Sequence, residues 1–138
     1  MNPQEIHLPR KIANQLLHLA QISPDAEICG LVSSKQGKVG HCYPVKNVAP
    51  HPEQRFLLDA SEQIAAMAQM RALNEDLFAI YHSHPTTPAQ PSTHDIALAT
   101  YPEAVHLIIS LNTKGVLDMR GFKIDQQTAV EIPLVMCD

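Results

Sequence analysis

His82 closes the apolar run "LFAIYH", and His84 follows one residue later. In a β-strand, side chains at i and i+2 share a face, so both imidazoles can address one point while Ser83 turns away. That is a bidentate arrangement for a metal. Zinc accepts imidazole nitrogen at about 2.0–2.1 Å and carboxylate oxygen at about 2.0–2.2 Å, and a catalytic zinc keeps one of four positions open. A third ligand is needed, and Asp95 is the candidate: eleven residues after His84 the chain can have left the strand, turned through "PTTPAQP" and entered a helix packed across the strand's end. The same residues also have a purely structural reading. Ser92 and Asp95 have the spacing of a capping box, which satisfies two backbone donors at a helix start with no metal involved. An isolated His-x-His is more often unrelated to metal, and Glu27, read alone, is an ordinary solvated strand opening in "PDAEICGL".

The elements that must position these residues follow from periodicity and turn chemistry. A short extended "EIHL" precedes a helix over Pro9–Ile22, where Ile12, Leu16 and Leu19 recur at helical spacing and Pro9 sits in the first turn. "EICGLVSS" and "KVGHCYPV" read as a hairpin turning at Gly37. "NVAPHPEQ" is a loop and "RFLLD" a short strand. Asp59 or Ser61 then caps a helix from about Ser61 to Leu73, whose inner face is expected to be Ile64, Met67, Ala68 and Leu73. "LFAIYH" is a continuous apolar run of strand length, as expected of a central strand buried on both faces. A short helix is expected from Ser92 to Thr100, then strands in "AVHLIIS", "GVLDMRGFKI" and "AVEIPLV". Helices and strands interleave without a GxGxxG or Walker sequence, so the fold class is α/β, a mixed sheet flanked by helices.

At 138 residues the chain is long enough to bury a core without a metal or disulfide to hold it, which leaves any metal site free to be functional. A net charge of -4 offers no electrostatic grip on nucleic acid or anionic lipid. "MNPQEIHLPRK" lacks the pattern of a secretory signal and no run is long enough to span a membrane, so the expected compartment is the cytoplasm. Cys29, Cys42 and Cys137 are odd in number and widely spaced, as for reduced thiols. Cys29, inside an apolar strand, is expected to be an inert buried thiol. His7, His18, His41, His51, His94 and His106 have no partners at metal spacing and read as surface or half-buried side chains.

Together, Glu27, His82, His84, Ser92 and Asp95, spaced E-x54-H-x-H-x7-S-x2-D, match every position of the zinc-protease motif of the JAMM or MPN-plus family. Cys29-Gly30-Leu31, Tyr81 and Pro85 match the family's surroundings of that motif. The chain resembles this family from the first helix to "RGFKI", and "YHSHPTTPAQPSTHD" looks most like its compact prokaryotic members. The resemblance implies a cytidine-deaminase-like curved mixed sheet between helices, as one JAMM/MPN domain over residues 1–138. It implies one zinc ion per chain, held by His82, His84 and Asp95. Glu27 would stand outside the ligand shell as general base and then acid, and Ser92 would donate its hydroxyl to the oxyanion.

The implied reaction is hydrolysis of a peptide or isopeptide bond after the Gly-Gly tail of ubiquitin or a ubiquitin-like protein. In compact prokaryotic relatives such tails belong to small sulfur carriers, and this chain has little room for insertions that select polyubiquitin linkages, so a sulfur carrier is the expected substrate. A tail ending in two glycines calls for backbone pairing in a narrow groove, with "RFLLD" and "PTTPAQP" as its expected walls. The alternative of a different class is a non-catalytic MPN-type scaffold that binds ubiquitin-like or other partner proteins. Such relatives typically lack one or more ligands, and none is missing here. A nucleobase deaminase would need HxE…PCxxC, which is absent. A structural metal module fits an open three-ligand set with a poised glutamate less well than a catalytic one does.

Overall fold

In the computed structural model, which describes residues 5–138, the expected hairpin forms from β2 (Cys29–Lys35) and β3 (Lys38–Val45). Gln36 and Gly37 both take positive φ (51° and 81°), as a two-residue turn matched to strand twist requires. The central strand is β4 (Asp76–His84), antiparallel to β2 on one side and parallel to β5 (Val105–Ser110) on the other. With β6 (Asp118–Asp125) and β7 (Thr128–Ile132) the sheet runs β3-β2-β4-β5-β6-β7. The β4–β5 pair is the parallel step in this mixed sheet. β1 (Ile6–Pro9) and β8 (Leu134–Cys137) form a separate two-stranded parallel pair.

Strand alternation sorts the core into two layers. Val32, Ala79, Tyr81, Leu107 and Ile109 face α1 (Arg10–Gln21), which contributes Ile12, Ala13, Leu16 and Ala20. Leu31, Val45 and Ile80 face α2 (Ala60–Ala72) through Ala66 and Met70. Each fully buried Leu, Ile or Val contributes about 1.5–3 kcal/mol, so both faces hold the sheet. The expected α/β architecture with a mixed sheet flanked by helices is the one observed. Among the described residues no helix is long and apolar enough to cross a membrane.

Three local expectations need correction. "RFLLD" is not a strand: Leu58 makes a single bridge to Asn47. The Asn47 side chain takes the backbone positions a partner strand would fill, donating to the Arg55 carbonyl at 3.0 Å and accepting from the Leu57 N–H at 3.0 Å. In α2 the buried residues are Ala66 and Met70, while Ile64 and Leu73 are exposed. Apolar residues surround this helix, so their spacing does not select a face. The start falls where expected, with Asp59 accepting from the Glu62 N–H at 2.9 Å. The third helix, α3 (Thr93–Ala97), stops short of Thr100: Leu98 caps it, and the Ala99 N–H turns to the Ile96 carbonyl at 3.4 Å, three residues back, so the four-residue ladder ends there.

Candidate metal centre and active site

The pairing of β2 with β4 explains how residues 27 and 84 meet. Cys29 lies opposite His82, and the pairing continues past the end of β2: the Ile28 N–H donates to Ser83 Oγ at 2.8 Å and the Ser83 N–H to the Ile28 carbonyl at 3.0 Å. That register sets Glu27 across from His84, on the sheet face shared by His82 and His84. Glu27 precedes the strand rather than opening it, and its backbone is tied to the Pro52 carbonyl (2.7 Å) and the Asn47 side chain (2.9 Å). Gly30 sits in this ladder because a Cβ there would strike the Tyr81 ring and the Tyr43 carbonyl.

Asp95 arrives from α3. Ser92 caps the helix, its Oγ accepting from the Asp95 N–H at 3.0 Å, and its own N–H donates to Asp95 Oδ2 at 2.9 Å. The capping box is therefore real. The same Oδ2 lies 3.1 Å from His82 Nε2 and 3.1 Å from His84 Nε2, and the two Nε2 atoms are 3.1 Å apart. His84 Nδ1 donates to the Pro88 carbonyl at 2.8 Å, so a neutral His84 turns a bare Nε2 lone pair into the triangle. Three buried acceptor-capable atoms in mutual contact cannot all be satisfied by one shared proton, whereas a central cation satisfies them together. Arms of about 2.0–2.1 Å in a tetrahedron give edges of about 3.3–3.4 Å, close to the triangle found. The Asp95 oxygen has two lone pairs, one used by Ser92 and one left for a cation.

A Glu27 oxygen lies within 4.8 Å of ring nitrogens of both histidines, so Glu27, His82 and His84 also form a potential ligand group. The 3.1 Å triangle with Asp95 is the tighter set, and Glu27 stands beside it. Glu27 is 4% exposed, and its Oε1 has no hydrogen-bond partner among the described residues. Burial pushes its carboxyl up to about 8; His84 opposes this and Asp95 adds to it. Burial lowers His82. On His84 burial acts downward too, but bonds to Asp95 and the Pro88 carbonyl outweigh it and leave the ring raised. Burial would raise Asp95, yet both imidazoles and the Ser92 N–H hold it far below the carboxylate range. The donor set fits a metal ion by its chemistry: anionic oxygen, two imidazoles and a protonatable carboxyl alongside.

The structure thus brings His82, His84, Asp95 and Glu27 together, with Ser92 one hydrogen bond away from Asp95. Three further residues were not singled out from sequence. The Phe56 ring stacks on His82 with centroids 4.3 Å apart. The Pro88 carbonyl orients His84. His106, expected to be surface or half-buried, is buried in β5 and lines a cleft of about 300 Å3 that also reaches His82 and Asp95. Phe56, Leu57 and Leu58 of "RFLLD" line that cleft; the loop "PTTPAQP" does not. Cys29 is buried and its thiol is pushed up to about 12, first by burial and then by Glu27 and Glu62, which makes it inert as expected.

With this geometry in view, similarity to known proteins is informative. The family described as prokaryotic homologs of the JAB domain matches residues 9–124. The CysO-cysteine peptidase of Mycobacterium tuberculosis is 30% identical over 119 residues, covering 85% of this chain and 80% of that protein. The desampylase of Haloferax volcanii is 35% identical over 89 residues, covering 63% of this chain and 64% of that protein, a little under two thirds of its length. Among solved structures, protein DSY2949 from Desulfitobacterium hafniense superposes with a TM-score of 0.85 at 31% identity, covering 96% of this chain and 93% of that one. AF2198, a JAB1/MPN domain protein from Archaeoglobus fulgidus, shares the fold at a TM-score of 0.63 and 16% identity, covering 96% and 97%. The chain belongs to the family of prokaryotic homologues of the JAB domain, a family of JAMM-type metallopeptidases.

Proposed function

We infer that the chain is a cytoplasmic zinc-dependent peptidase or isopeptidase, one domain over residues 1–138, that cleaves after the C-terminal Gly-Gly of a ubiquitin-like sulfur carrier. The observation that carries this reading is the triangle of His82 Nε2, His84 Nε2 and Asp95 Oδ2 at 3.1 Å edges, with the buried and unpartnered Glu27 carboxyl beside it. The names of the relatives support the substrate class: one acts on CysO-cysteine, one is a desampylase, and a third, from Thermus thermophilus, is a probable TtuB-protein conjugate cleaving protease.

His82, His84 and Asp95 would hold one zinc ion, with the Pro88 carbonyl and the Ser92 N–H fixing the orientation of two of them. Zinc bound there supplies Lewis acidity and lowers the pKa of a bound water toward 7. Glu27 handles the proton. Burial holds its carboxyl protonated to about pH 8 when no cation stands beside it, and a neighbouring positive charge shifts it toward the carboxylate that a general base must be. The same carboxyl then returns the proton to the leaving amine. The Ser92 hydroxyl, whose oxygen accepts from the Asp95 N–H, keeps its own O–H free to donate to the oxyanion.

The test uses zinc-loaded protein and sulfur-carrier fusions bearing one residue after Gly-Gly, with products read by intact mass. The expected result is cleavage after the last glycine, lost in Glu27→Gln while zinc stays bound. A Glu27→Gln protein as fast as the parent removes Glu27 from its role. Carrier binding without turnover by the zinc-loaded parent replaces the peptidase with a scaffold.

A further inference from the structure

We propose that Asn47 is a positioning residue for the reaction: its side-chain amide anchors the main chain of Glu27, and so sets where that carboxyl stands relative to His82 and His84. This rests on the peptidase reading above. The Glu27 carboxyl does not fix itself, since its buried Oε1 has no hydrogen-bond partner among the described residues. The sheet does not fix it either. The pairing of β2 with β4 ends at Ile28, whose N–H meets the Ser83 hydroxyl oxygen and whose carbonyl accepts from the Ser83 N–H. One residue further out, both main-chain groups of Glu27 turn to the segment that follows β3. Its N–H donates to the Pro52 carbonyl at 2.7 Å, and its carbonyl accepts from Asn47 Nδ2 at 2.9 Å.

Asn47 suits this task because main-chain partners fill its amide. A primary amide offers two N–H donors and an oxygen with two lone pairs. Here Nδ2 also donates to the Arg55 carbonyl at 3.0 Å, while Oδ1 accepts from the Ala49 and Leu57 N–H groups, each at 3.0 Å. Arg55 and Leu57 flank Phe56, whose ring stacks on His82. One planar group therefore links the backbone of Glu27 to a segment registered against the metal triangle. The segment itself does not depend on that group. The Val48 N–H meets the Leu57 carbonyl at 2.8 Å and the Asp59 N–H the Lys46 carbonyl at 3.0 Å, through the backbone alone. Loss of the amide thus frees Glu27 while residues 46–59 stay in place, and a displaced base slows the chemical step more than it weakens binding.

The test compares zinc-loaded parent, Asn47→Ala and Asn47→Asp on the sulfur-carrier fusion, with Leu16→Ala in the α1 core as a stability control. Both Asn47 variants should lower kcat about 10²-fold, as for a misplaced catalytic group. KM should stay within about threefold, with zinc still stoichiometric. Aspartate keeps the acceptor and adds a charge, alanine does neither, and what the two share is the lost donor to Glu27. Leu16→Ala should melt at a lower temperature yet keep kcat within about threefold of the parent. In metal-free protein, hydrogen exchange at the Glu27 amide should quicken in both Asn47 variants by more than at Ile80 inside β4. Parental kcat in either Asn47 variant overturns the assignment, as does an equal fall in Leu16→Ala or a KM that rises in step with the loss of kcat. If Asn47→Ala does not fold, Asn47→Asp decides, since its side chain has the same shape. If the parent cleaves no fusion, the peptidase reading fails separately and exchange decides the anchor. Selective release of the Glu27 amide supports it, and exchange no faster there than at Ile80 overturns it.

Discussion

Glu27 makes the stability of the metal-free protein depend on pH in an unusual direction. Its folded pKa of about 8, against an ordinary 4.5, means that the folded state binds a proton the unfolded chain has released. A raised carboxyl contributes its full stability below about pH 4.5, and that contribution drains away as pH climbs to 8 and slightly beyond. The gap corresponds to at most about 5 kcal/mol, which solvent reaching a partly open site reduces to about 2–4 kcal/mol. Glu27→Gln keeps the shape and the hydrogen-bonding reach but carries no titratable proton. In urea titrations of metal-free protein from pH 5 to 9, the parent should lose about 2–4 kcal/mol relative to Glu27→Gln. Saturating zinc should shrink that divergence, because a cation beside Glu27 favours its charged form in the fold. Parallel stability curves for parent and variant without metal would mean that the carboxyl is solvated, and the account of Glu27 as a buried proton carrier would fall with it.

Other perturbations touch the site piece by piece. His84→Ala should abolish stoichiometric zinc binding and the rise in melting temperature on zinc addition, both readable by metal analysis and a thermal scan. Ser92→Ala removes the α3 cap and should cost about 1 kcal/mol; it should also cut kcat by about 10²-fold if the hydroxyl serves the oxyanion, with zinc retained. Gly30→Ala drives a methyl into the Tyr81 ring and the Tyr43 carbonyl, and a urea midpoint should register a loss of about 1–3 kcal/mol.

His82 and His84 were readable because strand alternation alone puts i and i+2 on one face, and Asp95 because Ser92 three residues earlier marks a helix start. Glu27 was readable only in combination, since its place opposite His84 depends on a ladder joining chain segments more than fifty residues apart. His106 was not readable. Read as a surface or half-buried side chain, it is buried because the parallel crossover sets β5 beside β4 in the middle of the sheet. The face of α2 was lost for a different reason: with alanine and methionine on nearly every side, packing rather than periodicity decides which residues turn inward. "RFLLD" has strand composition, yet Asn47 holds its backbone with a side chain.

The double use of Asp95 Oδ2, bound by the Ser92 N–H and aimed at both imidazoles, would tie a helix to any ion held there. Five residues of α3 are too few to persist on their own, so order in this turn and occupancy of the site belong to one equilibrium. Chelation should therefore speed hydrogen exchange at the amides of residues 95–98 and loosen the Leu98 wall of the neighbouring cleft.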